Sequence, residues 1–185
     1  ARDIQIPGQH NVENYMAAIG AVYTLVPEEV IPIVAKTFGG VEHRIELVRE
    51  LGGVKYYNSS IDSSPNRTKN TLNVFSQPVV LIAGGKDKGI PYDEIGKPIL
   101  DHVKTLILIG ATSQVIYSAV KAEMDRQNKK IPVFFETDYE AAVRRAKDAA
   151  APGDVVLLSN ASTSFDMFRN FEERGNLFKE LVNRL

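Results

Sequence analysis

The chain has no cysteine and no tryptophan, only three histidines among its 185 residues, and no apolar run long enough to cross a bilayer. Without cysteine there are no disulfides and no thiolate metal centres, and histidines at positions 10, 43 and 102 are too dispersed in sequence to suggest an imidazole cluster, so no metal site is expected. Charge of one sign is also lacking: 22 basic residues against 23 acidic ones leave a net charge of -1. Neither a nucleic-acid footprint nor a polybasic membrane patch is present, so neither partner is expected. The opening residues Ala1-Arg2-Asp3-Ile4-Gln5 contain no apolar core of a signal peptide, which makes a cytoplasmic location the expectation. With 44% hydrophobic residues, the chain can bury one good core, or one domain with an appended segment.

An extended piece, Ile4 to Pro7, should precede a helix from Asn11 to Leu25, where Tyr15, Ala18, Ile19 and Val22 recur at helical spacing. Pro27 then opens a second helix, with Glu28 and Glu29 in its first turn, that ends near Phe38. Gly39-Gly40 marks a domain boundary, dividing a helical segment (1–40) from a larger domain (41–185). Beyond it, Arg44 to Glu50 and Val54 to Asn58 flank Gly52-Gly53 as a hairpin.

Strands and helices then alternate. Helices are predicted over Pro65 to Phe75, Tyr92 to Val103, Ser113 to Gln127, Tyr139 to Ala150 and from Phe165 onward. Strands are predicted over Val79 to Ala83, Thr105 to Ile109, Pro132 to Glu136 and Asp154 to Leu158. Short apolar strands with helical crossovers imply an α/β fold: a Rossmann-like, mostly parallel sheet with an antiparallel edge hairpin, helices on both faces, and a two-helix segment in front. Ligands of such sheets bind beyond the carboxyl ends of the strands. Here those ends are the loops 58–64, 84–89, 110–112, 136–138 and 159–164.

Two of these loops carry chemistry. Gly84-Gly85-Lys86-Asp87-Lys88-Gly89 lets backbone amides and a flexible ammonium approach an anion, yet it lacks the spacer and ending of a phosphate-binding P-loop. Read as residues alone, Lys88 is a solvated lysine in a turn. The run from Leu157 to Gly175 reads as a buried strand, a small-residue loop and an amphipathic helix. Ser164 would cap that helix, at least two of Phe165, Phe168 and Phe171 would enter the core, and Asn170, Glu172, Glu173 and Arg174 would make caps and surface pairs. Asn11 would cap the first helix, with Asn14 exposed.

The run Leu157-Leu158-Ser159-Asn160-Ala161-Ser162-Thr163-Ser164-Phe165-Asp166-Met167-Phe168 with Asn170-Phe171-Glu172-Glu173-Arg174-Gly175 resembles a motif of the Mur ligases of peptidoglycan synthesis. Ile6-Pro7-Gly8-Gln9-His10-Asn11-Val12-Glu13-Asn14, Val41-Glu42-His43-Arg44, Tyr57-Asn58-Ser59-Ser60 and Gly84 to Gly89 resemble further motifs of that family in the same order, so the likeness covers essentially the whole chain. It implies an ATP- and Mg-dependent ligase that adds D-glutamate to UDP-N-acetylmuramoyl-L-alanine, with the muramoyl-alanine carboxylate phosphorylated and then attacked by the D-glutamate amine. Carried over residue by residue, Lys88, Ser63, Ser164, Phe165 and Phe171 would hold D-glutamate or another small anion, and His10, Asn11, Asn14 and Arg44 would contact the nucleotide.

Five positions depart from the family's pattern. Ser59 stands where an aspartate contacts nucleotide, Ile61 where many members have lysine, Ser63 where many have threonine, Asp62 where a small residue is usual, and Asn160 in place of proline. All belong to strand-end loops, and four of the departures, Ser59, Ile61, Asp62 and Asn160, are read as altered positions facing one cleft. No Gly-x-x-Gly-Lys-Thr loop is present and no segment resembles a UDP-binding domain. The expectation is therefore a piece of the ligase that holds no cofactor tightly and does not ligate alone. Its natural partners would be the missing ligase domains, and the face left open on residues 1–38 would favour either a homodimer or a re-packing of those residues on the larger domain. Two other readings are a non-catalytic or engineered binding module with rebuilt cleft loops, and a hydrolase or transferase using a serine near a histidine and Asp62. The last lacks a Gly-x-Ser-x-Gly elbow.

Overall fold

The architecture comes from a computed structural model, which describes residues 3–4, 6 and 8–185 apart from the side chains of Gln9 and His10. Gln5 and Pro7 of the expected extended piece lie outside the described residues. The chain forms two compact units divided between Glu42 and His43.

The first unit holds α1 (Gln9–Val22) and α2 (Val30–Thr37). Helix α2 begins three residues later than Pro27 suggested. Pro32 has no N–H to give to Glu28, so the chain first makes tight turns, with Val30 and Ile31 donating to the Pro27 and Glu28 carbonyls at 3.1 and 3.2 Å. Glu28 and Glu29 therefore precede the helix. Gly8 stands at the N-cap of α1, so Asn11 lies inside that helix and does not cap it. No residue of α2 is buried, and Met16, Tyr23, Leu25 and Ile33 are all exposed.

The second unit is a six-stranded sheet in the order β1-β2-β6-β3-β4-β5. Its strands are β1 (Glu46–Leu51), β2 (Val54–Asn58), β3 (Val79–Ala83), β4 (Val103–Ile109), β5 (Val133–Glu136) and β6 (Val155–Leu158). Only β1 runs antiparallel, joined to β2 across Gly52-Gly53; the other neighbours are parallel. The hairpin starts at Glu46 rather than Arg44 because His43 and Ile45 adopt left-handed backbone, with φ of 62° and 49°. Such a conformation costs a β-branched residue about 1–2 kcal/mol. Two bonds hold the bend: the Ile45 N–H donates to Ser59 Oγ at 3.3 Å and the His43 N–H to Glu46 Oε2 at 2.9 Å.

Helices α3 (Pro65–Leu72), α4 (Gly96–His102) and α5 (Ser113–Gln127) cover one face of the sheet, and α6 (Tyr139–Ala149) and α7 (Phe171–Asn183) cover the other. Alternation along β3 shows the two-sided burial: Val79, Leu81 and Ala83 enter the first core while Val80 and Ile82 enter the second. A single 3-10 turn, Asp93–Ile95, precedes α4.

Helix α7 starts at Phe171, six residues beyond the predicted Phe165. Residues 165–167 instead form a turn in which Met167 and Phe168 donate to the Ser164 carbonyl. The cap is Asn170, whose side chain accepts from the Glu173 N–H at 2.8 Å, while the Glu173 carboxylate accepts from the Arg169 N–H at 2.9 Å. Ser164 caps no helix. Of the three phenylalanines, Phe165 is exposed and Phe168 and Phe171 are half-buried, with Phe168 packed edge-on to Tyr139.

Candidate functional site

Five parallel strands end at one edge of the sheet, and α3, α5 and α6 begin there, so the positive ends of three helices share that edge. Glycines let the loops lie against one another. Gly85, at φ 150°, passes so close to the β6 loop that a Cβ would stand 2.2 Å from the Thr163 carbonyl oxygen. Lys86 and Thr163 exchange backbone hydrogen bonds at 2.9 and 3.0 Å, and the Gly84 N–H donates to the Asn160 carbonyl at 2.8 Å. Thr112 Oγ1 accepts from the Gly85 N–H at 3.0 Å and lies 2.7 Å from Ser162 Oγ, which is in turn 2.9 Å from the Tyr92 hydroxyl. The loops after β3, β4 and β6 are thereby pinned as one rim.

Beneath the rim sits Arg174, completely buried. It was expected on the surface. Its Nε donates to Ser60 Oγ at 3.0 Å, Nη2 to the Ser60 carbonyl at 2.7 Å and Nη1 to the Ser162 carbonyl at 3.2 Å, joining the loops after β2 and β6. Burial pulls its pKa below the ordinary arginine value, opposed by Tyr139 and by the charges of Asp166 and Asp62. A signal for this was available: Arg174 shares helical spacing with Phe178 and Val182, both fully buried. Gly175 beside it admits the helix, since a Cβ there would fall 2.3 Å from His43 Nδ1. His43 Nδ1 accepts from Asn58 Nδ2 at 2.9 Å, and its ring meets Phe171 edge-on at 5.9 Å.

Among the residues expected to hold D-glutamate, Lys88 is exposed in the β3 loop and has no ion-pair partner among the described residues. Ser63 is half-buried after β2, Ser164 is buried after β6, Phe165 is exposed beside it, and Phe171 opens α7. All five lie on loops or a helix start at the same edge. Of the nucleotide group, Asn11 and Asn14 lie on α1, Asn14 donating to Asn11 at 3.3 Å, and Arg44 is exposed in the second unit. The His10 side chain lies outside the described residues.

The four altered positions do not face a common cleft. Ser59 and Asn160 are fully buried, Asp62 is nearly so and Ile61 is half-buried. Asp62 Oδ2 accepts from Thr71 Oγ1 at 2.7 Å and Ser159 Oγ at 2.8 Å, and Asn160 Nδ2 donates to the Gly84 carbonyl at 2.9 Å and the Tyr139 hydroxyl at 3.0 Å. Burial raises Tyr139 to about 12, with Arg174 the largest opposing influence. The other Asn160 atom, Oδ1, is buried without a partner among the described residues. No serine hydroxyl is bonded to a histidine among the described residues, so the hydrolase arrangement is not assembled. Nor is any trio of His, Asp or Glu among them placed to hold a metal.

Comparison with known proteins bears on the fold and the family. The chain is 56% identical to the UDP-N-acetylmuramoylalanine–D-glutamate ligase of Ruminiclostridium cellulolyticum over 98% of its length, and 57% identical to the enzyme of that name from Acetivibrio thermocellus over 100%. It spans 40% of the length of each. The fold recurs in Escherichia coli FolC in complex with ADP, with a TM-score of 0.66, 15% identity and coverage of 98% of this chain and 41% of that one. A murein peptide ligase from Psychrobacter arcticus shares it with a TM-score of 0.58 at 16% identity, covering 98% of this chain and 38% of that one. Residues 43–161 match the family described as Mur ligase, glutamate ligase domain, and the chain belongs to the Mur ligase family.

Proposed function

We propose that the chain is the amino-acid side of an ATP-dependent ligase that adds D-glutamate to UDP-N-acetylmuramoyl-L-alanine. The observation that carries this reading is Lys88, an exposed ammonium without an ion-pair partner on a rim pinned by the Lys86–Thr163 pairing and faced by helix N-termini. A dicarboxylate amino acid suits that positive edge. Lys88 would meet a carboxylate as a point charge, Ser63 and Ser164 would offer hydroxyls, and Phe165 and Phe171 would wall the carbon chain. The substrate amine would then be left to attack an acyl phosphate formed elsewhere in the intact ligase, releasing phosphate as the amide bond forms.

Residues 1–40 are read as the end of the central ATPase domain and 41–185 as the D-glutamate-binding domain. His10, Asn11, Asn14 and Arg44 would serve the nucleotide in the assembled enzyme. By itself the 185-residue chain would bind D-glutamate weakly and would not ligate. The alternative of a rebuilt binding module draws no support from Ser59, Asp62 and Asn160, whose side chains are used in internal bonds.

The reading is tested by replacing the matching 40% of the Acetivibrio thermocellus enzyme with this chain and assaying D-glutamate incorporation. Activity that falls with Lys88→Ala, mainly through a higher KM for D-glutamate, supports it. An active chimera indifferent to Lys88→Ala overturns the assigned site.

A further inference from the structure

Among the described residues the edge of the sheet farthest from the hairpin is open. There strand β5 pairs only with β4, and because the Pro132 carbonyl accepts from the Leu106 N–H, Phe134 also turns its backbone groups toward β4. In a parallel ladder the intervening residues turn the other way, so Val133 and Phe135 direct their N–H and C=O groups outward. Their side chains share one face with α5. There they line a groove of about 410 Å³ with Tyr117, Met124 and Ile131, in which the Tyr117 and Phe135 rings meet edge-on at 5.5 Å.

The groove adjoins a second cavity of about 450 Å³ at the amino end of β5, and Lys130 and Ile131 border both. Positive charge is in surplus here. Asp125 and Asp101 are taken by Lys121 and Lys97, and Asp154 by Lys104. Among the described residues the Lys129 ammonium donates only to the Leu100 carbonyl, and the Lys130 ammonium has no partner.

We propose that this edge and groove bind an extended peptide that runs antiparallel to β5 and ends in carboxylates beside Lys129 and Lys130. Backbone groups of the peptide pair with Val133 and Phe135, alternate side chains enter the apolar groove, and the acidic end meets the basic one. A second copy of the chain fits less well, because the one carboxylate on its β5, Glu136, is already held by Arg145 at 2.8 Å. The surface lies apart from the strand-end rim and owes nothing to the ligase reading.

The test is an amide NMR titration of the full chain with the synthetic peptide acetyl-Thr-Val-Thr-Val-Glu-Glu. The comparison peptide has Gln-Gln-amide at its end. Shifts centred on Ile131, Val133, Phe135 and Tyr117 are expected, with the neutral peptide and the Lys130→Glu variant each binding about two- to fivefold more weakly. Phe135→Asp, at a half-exposed position, should remove the shifts with the rest of the spectrum unchanged. Absence of shifts at about 2 mM peptide, where even millimolar binding would register, overturns the proposal. Equal binding of the neutral peptide also overturns it, as does concentration-dependent broadening of β5 signals without peptide, which would assign the edge to a second copy.

Discussion

Arg174 is a cation with no carboxylate in hydrogen-bond contact among the described residues, kept in the interior by three donated bonds to Ser60 and Ser162. Replacing it with methionine would preserve much of its volume but strand the Ser60 and Ser162 carbonyls, while Ser60 Oγ keeps the bond it donates to the Phe171 carbonyl at 2.7 Å. Each stranded carbonyl costs about 1–3 kcal/mol, so Arg174→Met should destabilise the second unit by about 2 kcal/mol or more in urea denaturation. Asn160 is the converse case. Its amide nitrogen clamps Gly84 and Tyr139, while Oδ1 lacks a partner among the described residues. Asn160→Ala forfeits two bonds but also removes the orphan, whereas Asn160→Asp would place a second acceptor against the Gly84 carbonyl. The aspartate variant should therefore unfold at lower urea than the alanine variant; the reverse order would contradict the assigned amide orientation.

Tyr139 adds a pH dependence. Its hydroxyl is neutral in the folded state up to about 12, against 10.0 for an unperturbed tyrosine. Between those values the unfolded chain has released the proton and the folded chain has not, so stability is full below about pH 10 and falls as pH rises toward 12. Buried Tyr56 and Tyr92 and half-buried Tyr57 are shifted the same way by desolvation and act in the same direction. Alkaline unfolding followed by circular dichroism should show this loss, and Tyr139→Phe should shallow it.

At the scale of elements, α7 shows what local signals can and cannot decide. Asn170 with Glu173 three residues later is a capping pattern as legible as Ser164, and tertiary contacts of the β6 loop choose between them. Asn170→Ala should cost about 1 kcal/mol of stability, measured by thermal melting, while Ser164→Ala should show no cap penalty. Elements with a continuous local pattern are legible directly: β3 and α5 have the bounds that the pattern of residues implies. The left-handed Ile45 was not legible, because a β-branched residue is the last candidate for that backbone. Its cause is Ser59 Oγ, fourteen residues away, and no local pattern encodes it. Arg174 escapes a local reading for a related reason: its charge argues for the surface against its helical spacing, and the carbonyls that satisfy it come from loops distant in sequence. The same holds for Asp62 and Asn160, whose partners lie on other strands' loops.

On the scale of the whole molecule, the two units differ in how well they bury what they carry. The second has a core on each face of its sheet, while the first exposes Met16, Tyr23, Leu25 and Ile33 at 59 to 77%. Exposed apolar residues of that size favour association, so the isolated chain is expected to show a weight-average mass that rises with concentration in light scattering. Tyr23→Lys with Leu25→Lys should suppress the rise. No helix among the described residues is long and apolar enough to cross a membrane. The central claim concerns Lys88 and the amino-acid side of a ligase, and it is tested most directly by the KM for D-glutamate of the chimeric enzyme with and without Lys88→Ala. A rise of tenfold or more in KM at unchanged nucleotide KM is the expected result, corresponding to about 1.4 kcal/mol of lost binding. An unchanged D-glutamate KM in an active chimera would contradict the account.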